Sequence, residues 1–190
     1  DIDGSIAHVT MLGEQGIVTK EEADQIIAGL ESLRGKIASG EIVFNVDDED
    51  IHMGIESRLI AEIGDVAKKL HTARSRNDQC QVDGRLYMKK EIREVVHRLM
   101  YLESVILDKA EKYADSITVG FTHIQHAQPI TIGFIFMAYF QMFKRDIERL
   151  MDTYERMNLC PLGACAMAGT TLPTNRQRTA ELLGFAAPTE

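Results

Sequence analysis

Three short stretches of this sequence concentrate side chains able to bind anions or move protons. The first, Leu70 His71 Thr72 Ala73 Arg74 Ser75 Arg76 Asn77 Asp78 Gln79, sets two guanidinium groups among hydroxyl and amide side chains, with Lys68 and Lys69 just ahead. Guanidinium forks and the free N–H groups of a helix start favour an anion, in particular a carboxylate. The same residues have a plainer use, since Ser75, Asn77 or Asp78 can cap a helix while the arginines stay solvated, and spacing leaves both uses open. The second stretch, Gly120 Phe121 Thr122 His123 Ile124 Gln125 His126 Ala127 Gln128 Pro129, places two histidines in a polar connection between apolar segments. Imidazole titrates near neutrality, so His123 can transfer a proton at cellular pH, and Thr122 can donate a hydrogen bond to a substrate carboxylate. A histidine that only satisfies backbone groups in a buried loop is the competing reading. A His pair three apart is also a fragment of a zinc site, but no third ligand lies nearby and the cysteines do not cluster with it, so no metal is expected. The third stretch, Pro161 Leu162 Gly163 Ala164 Cys165 Ala166 Met167 Ala168 Gly169 Thr170, is a run of small residues that alone indicates close packing or loop geometry.

The elements that must position these residues read as helices. Prolines occur only at 129, 161, 173 and 188, so no obligatory helix breaker precedes residue 129. Thr19 and Glu22 form a capping-box pattern ahead of the stripe Ala23, Ile26, Ile27, Leu30, Leu33 and Ile37, with Gly40 as the stop. Ile51, Ile55, Leu59 and Ile63 recur every four residues behind the acidic run Asp47 Asp48 Glu49 Asp50, which suits the positive end of a helix, and Gly64 follows. Over residues 77–115 a single stripe, Ile92, Val95, Leu99, Leu102, Ile106, Ala110 and Tyr113, predicts one helix of ~55 Å at ~1.5 Å per residue. Pro129, as a first-turn residue, is expected to open a further helix to about residue 157, whose first half, residues 130–143, is apolar almost all round and must be buried by other helices. The expected fold class is all-α, with a small N-terminal helical domain over residues 1–73 and the first part of a long-helix bundle over residues 74–190. Helices this long and apolar call for cover from other subunits, so an oligomer is expected.

Composition narrows the function classes. A chain with 45% hydrophobic and 26% charged residues is of the soluble globular kind, and its formal net charge of -8 argues against a nucleic-acid partner. Cys80, Cys160 and Cys165 form no CxxC pair and fit reduced thiols in a cytoplasm. The most apolar run, residues 132–140, is far shorter than the ~20 residues of a membrane span, so no membrane association is expected. An opening at Asp1 without methionine and an end at Glu190 without a closing element suit an internal piece of a longer chain.

Taken together, the stretches resemble the argininosuccinate lyases, a branch of the fumarase and aspartase superfamily that also includes the delta crystallins. Asp48 Glu49 Asp50 Ile51 His52, then residues 71–79, then Gly120 Phe121 Thr122 His123 Ile124 Gln125, then Pro161 Leu162 Gly163, occur in that family's order and spacing. Three positions depart from its pattern: Ala73 stands where glycine is usual, Cys165 interrupts a small-residue run, and Asn175 replaces a frequent aspartate. The resemblance implies a long-helix bundle of the fumarase/aspartase type, assembled as a homotetramer with active sites shared between subunits. It also implies a trans elimination that splits argininosuccinate into L-arginine and fumarate, the last step of arginine biosynthesis. In such a reaction a base removes a proton next to a carboxylate, a carbanion forms and the C–N bond to the guanidino group breaks. Cationic and N–H donors must then hold the developing charge. The resemblance assigns Ser75, Arg76, Asn77 and Thr122 to substrate binding and His123 to acid/base catalysis, with no metal and no organic cofactor. The family's catalytic serine, on a loop with glycine and lysine, and its N-terminal substrate-binding serine have no counterpart in these residues, so this stretch alone is expected to be inactive.

Two other readings share the scaffold. One is a catalytically silent, delta-crystallin-like structural protein, against which Arg76, Asn77, Thr122 and His123 argue. The other is a sister lyase acting on adenylosuccinate, aspartate or malate, against which the string Arg74 Ser75 Arg76 Asn77 Asp78 Gln79 argues. Length adds a constraint, because the eight residues 116–123 return at most ~26 Å along a helix of ~55 Å. Asn77 and His123 of one chain are therefore expected in different sites, each site drawing on two subunits.

Overall fold

A computed structural model describes residues 1–190, the side chain of Asp47 excepted. The described residues are all-α in class, forming α1 (Ile2–Glu14), α2 (Lys20–Ala38), α3 (Ile51–Ile63), α4 (Arg76–Lys112), α5 (Ile132–Met157) and α6 (Arg176–Leu182). Short strands β1 (Ile117–Thr122), β2 (Gln125–Thr131), β3 (Leu159–Cys160) and β4 (Ala187–Pro188) and 3-10 turns at Val46–Asp48 and Gly64–His71 complete them. Contacts group the chain into two compact units, residues 1–87 with 158–190, and residues 88–157. The division at 73/74 expected from the sequence concerns the domains of a whole protein and stays a proposal.

In the first unit the capping box forms as its residues predict. Thr19 Oγ1 accepts from the Glu22 amide at 3.2 Å and Glu22 Oε2 accepts from the Thr19 amide at 3.1 Å, satisfying two donors that a helix start leaves unpaired. Behind it Ala23, Ile26, Leu30 and Leu33 turn inward, against Val9, Met11 and Leu12 of α1 and Ile55 and Leu59 of α3. Asp50 opens α3 by accepting from the Met53 amide at 2.7 Å, and Gly64, at φ 77°, follows its last turn. The helix α1 was not predicted, because Ser5 and His8 lie on its buried face and interrupt the apolar period. Asn175 caps α6 by accepting from the Arg178 amide at 2.9 Å, a task aspartate performs equally well, so that departure from the family pattern is neutral. β3 and β4 pair in parallel beside a small second core of Val82, Cys160, Leu162, Ala180 and Phe185.

The second unit corrects one expectation. Pro129 does not open a helix; it lies in β2 opposite Val119, and α5 starts at Ile132 with Thr131 Oγ1 accepting from the Phe134 amide at 3.1 Å. Proline's fixed φ serves a helix start and an edge strand alike, and a strand with one neighbour can spare the amide donor that proline lacks. The polar connection is thus an antiparallel hairpin, pairing Ile117 with Thr131 and Thr122 with Gln125, with a bulge where two steps of β1 from Val119 to Phe121 face three of β2. Gly133 lets α5 begin hard against the end of α4, since a Cβ there would lie 2.6 Å from the Ala110 carbonyl oxygen. The long helix is continuous for 37 residues. Its predicted stripe is only partly covered: Ile92, Ile106 and Ala110 are buried, while Val95 and Leu102 are exposed. Phe134 and Tyr139 of α5 are exposed too, so other helices of this chain do not bury residues 130–143.

Leu30 is fully buried in the first unit's core. Leu30→Ala is expected to cost about 2–5 kcal/mol, read as a lower thermal unfolding midpoint with the helical circular dichroism of the native state retained.

Candidate functional site

At the start of α4 the first stretch caps the helix, its plainer use. Ser75 Oγ accepts from the Asn77 amide at 3.3 Å, and Asp78 Oδ1 accepts from the Ser75 amide at 2.9 Å, a reciprocal cap of the capping-box kind with aspartate at the third position. Asp78 Oδ2 accepts two further amides, from Gly163 at 2.9 Å and Cys165 at 2.7 Å. The small-residue run around Gly163 is thereby brought to the helix start. Arg76 donates to Glu49 at 2.8 Å and lies 3.4 Å from Asp50, and these carboxylates hold its guanidinium firmly protonated. This ion pair is exposed to solvent, which screens it, so it contributes little to stability. Asn77 is exposed.

Helix α1 supports this segment from below. His8 Nε2–H donates to the Thr72 carbonyl at 2.8 Å, and Arg74 Nη1 donates to Ser5 Oγ at 2.9 Å. Gln79, fully buried, donates to Asp1 Oδ2 at 2.7 Å and Ser5 Oγ at 3.3 Å. Burial first, then the Arg74 charge, pushes the His8 imidazole down to about 4, and burial brings Arg74 down to about 10. Between them Ala73 has φ 55°, a conformation that glycine tolerates and a Cβ resists at roughly 1–2 kcal/mol. Cys165, at φ 57°, donates its thiol to the Ala73 carbonyl at 3.3 Å, so the two departures from the family pattern touch.

Thr122 and His123 sit in the second unit, at the tip of the hairpin. His123 and Ile124, the two central residues of the turn, have φ of 49° and 64°, the pattern of a type I′ turn. That pattern suits asparagine and glycine; for β-branched isoleucine it is strained, and strain of this kind collects at functional sites. Both residues are exposed in this chain, as is Thr122. Phe121 packs edge-on against His126, ring centroids 5.1 Å apart, which ties down the second histidine and leaves His123 to the solvent side. The structure therefore gathers Ser75, Arg76 and Asn77 in the first unit and Thr122 and His123 in the second.

One group escaped the sequence reading. His52, Glu56 and His71 converge in the first unit, each offering a donor atom within 4.8 Å of the others. The signal was present in part, since His52 and Glu56 lie one helical turn apart on α3, but His71 arrives from a different element.

Comparison with known proteins agrees with this architecture. A family model described as a lyase matches residues 1–189. The argininosuccinate lyase of Streptococcus mutans serotype c (strain ATCC 700610 / UA159) is 53% identical over 188 residues, 99% of this chain and 41% of the relative. That of Alkaliphilus metalliredigens (strain QYMF) is 54% identical over 187 residues, 98% of this chain and 41% of the relative. The chain thus spans about two fifths of the length of the curated relatives it matches. Among solved structures, EDDS lyase in complex with formate superposes with a TM-score of 0.90 at 35% identity, covering 99% of this chain and 37% of that one. A fumarate lyase from Mesorhizobium sp. BNC1, at TM-score 0.82 and 20% identity over 99% of this chain and 45% of that one, shares the fold.

The buried imidazole beneath the first stretch makes stability depend on pH in a defined direction. His8 binds its proton near pH 4 in the folded state and near 6.5 when exposed, so on acidification the unfolded chain takes up the proton first. Its contribution, about 3 kcal/mol at 1.36 kcal/mol per unit, is full above pH 6.5 and is lost as pH falls towards 4. His8→Gln keeps a donor for Thr72 without a titrating ring. Denaturant unfolding at pH 7 and pH 4.5 is expected to show a smaller acid loss in the variant than in the parent.

Proposed function

The chain belongs to the lyase family, and from that premise we propose that the protein carrying it is an argininosuccinate lyase, releasing L-arginine and fumarate by trans elimination. The observation that carries the reading is the segment Arg74 Ser75 Arg76 Asn77 Asp78 Gln79 capping α4, in a chain about half identical to argininosuccinate lyases along nearly its whole length. On this reading Ser75, Arg76, Asn77 and Thr122 bind the substrate carboxylates. The α4 N-terminus, the guanidinium and the hydroxyl and amide donors then stabilise negative charge as the proton leaves. His123, on its strained exposed turn, is the acid/base group, and neither metal nor organic cofactor enters the elimination. Fumarate bound in an EDDS lyase variant, a relative of the same fold, supports the product class.

The assembly belongs to the same proposal. At ~1.5 Å per residue α4 measures ~55 Å, whereas the six residues of β1 span only ~20 Å. On this reading β1 is too short to return Thr122 and His123 to the Asn77 of their own chain, and each site draws Asn77 and His123 from different subunits of a homotetramer. Exposed Val95, Leu102, Phe134 and Tyr139 along α4 and α5 support that association. A cytoplasmic location fits three free thiols; among the described residues no helix is long and apolar enough to cross a membrane.

The intact protein is expected to release fumarate from argininosuccinate without added metal, followed by ultraviolet absorbance. His123→Asn is expected to slow turnover by roughly 10²-fold or more with the fold intact. A near-normal rate would remove His123 from the mechanism, and an inactive but normally helical parent would favour the crystallin-like structural reading.

Two inactive variants, Asn77→Leu and His123→Asn, unfolded together and reassembled, are expected to regain part of the activity, because some sites then receive both intact stretches. A mixture that exchanges subunits and stays inactive would refute the composite site.

A further inference from the structure

Helix α3 carries His52 and Glu56 one turn apart, and the 3-10 turn ahead of α4 ends on His71. His52 Nε2 lies 3.7 Å, and His71 Nδ1 3.8 Å, from the same oxygen, Oε2 of Glu56. Both separations exceed a hydrogen bond. The His52 side chain is only 6% exposed. Its Nδ1–H donates to Asp1 Oδ2 at 3.2 Å, and that carboxylate oxygen is itself held by Gln79 at 2.7 Å. The tautomer is thereby set and the Nε2 lone pair is bare, and this buried atom has no hydrogen-bond partner. A carboxylate behind a histidine whose other nitrogen is bare is the arrangement that orients metal-binding imidazoles. Around His52 the carboxylates of Asp1, Asp50 and Glu56 outnumber the guanidinium groups of Arg74 and Arg76.

We propose that His52, Glu56 and His71 bind a divalent transition-metal ion of the zinc class, through Nε2, Oε2 and Nδ1, with the fourth position open to water. Zinc bonds of ~2.0–2.1 Å place tetrahedral donors about 3.3 Å apart. The two gaps to Glu56 must each close by about half an ångström, and the remaining separation, at most 4.8 Å, closes by rotation of the half-exposed His71 ring. The ion takes no part in the elimination. It ties α3 to the turn that leads into Ser75, Arg76 and Asn77.

The test uses the untagged intact protein, stripped with a chelator and titrated calorimetrically with zinc chloride, with Co²⁺ as an optical probe. One ion per chain is expected, together with the intense visible bands that Co²⁺ shows in four-coordinate geometry. His52→Asn and His71→Asn are each expected to weaken zinc at least about 100-fold and to abolish the bands, and Glu56→Gln to weaken it by about 10-fold or more. His97→Asn, at an exposed position on α4, is expected to bind like the parent. No saturable binding, or unchanged binding in His71→Asn, would overturn the proposal. His71 is half exposed, so that variant keeps the test decisive even where His52→Asn loses its fold, and the calorimetric readout is independent of fumarate release.

Discussion

The Asp78 carboxylate holds together everything placed at the start of α4. It is 3% exposed and accepts three backbone amides, from Ser75, Gly163 and Cys165. Charge-assisted bonds of this kind contribute roughly 1.5–3 kcal/mol each, and removing the acceptor would strand donors away from water. Two of the amides, from the residues on either side of Ala164, converge on one oxygen, and both Gly163 and Cys165 have positive φ, 99° and 57°. The small-residue run that reads as packing is thus an anion cradle whose anion is the protein's own. Ser75, Arg76 and Asn77 lie beside a fixed point, and their positions are set by the helix start and not by a free loop.

The polar network under that point carries a deliberate burden. Arg74 is buried with Nε and Nη2 lacking hydrogen-bond partners, and Gln79 Oε1 and His8 Nδ1 are in the same condition. A buried polar group left without a partner costs about 1–3 kcal/mol, so this network is not a source of stability in itself. The network accomplishes something an apolar core cannot. Ser5 receives both Arg74 and Gln79, and Thr72 receives His8, so α1 dictates where the chain turns at Ala73 and with what handedness. Ala73 stays in its disfavoured conformation because the bonds on both sides of it, including the Cys165 thiol, leave no alternative.

What could be read from the sequence followed from local chemistry. The Thr19–Glu22 box, the Asp50 cap and the stripes of α2 and α3 are rules acting within one or two turns, and the structure obeys them. The candidate residues of the first stretch were recognisable for the same reason, as a helix start crowded with cations and small polar groups. Helix α1 has no local signature because Ser5 and His8 answer to partners 64 to 74 positions away. The hairpin was hidden because Pro129 satisfies two grammars equally and because His123–Ile124 is a poor sequence for the turn it makes. The convergence of His71 on His52 and Glu56 likewise requires knowing how the 3-10 turn packs on α3.

The poor turn sequence and the exposed faces of α4 and α5 are parts of one problem. A two-stranded hairpin is marginal by itself, and this one ends in a β-branched residue at φ 64° that is 92% exposed. Nothing local rewards that geometry, so its persistence needs a constraint from outside the hairpin. Within the chain, the base of the hairpin is fixed by Ile132 donating to Ser116 at 2.8 Å and Gly133 donating to Tyr113 at 3.0 Å, leaving the tip as the unsupported end. On the proposed reading the missing constraint is the neighbouring subunit, whose association buries the apolar surface along α4 and α5 and seats His123 against the Ser75, Arg76 and Asn77 of another chain. Association and catalysis then share one energetic source, because the surface that drives assembly is also what holds the strained turn at its working position.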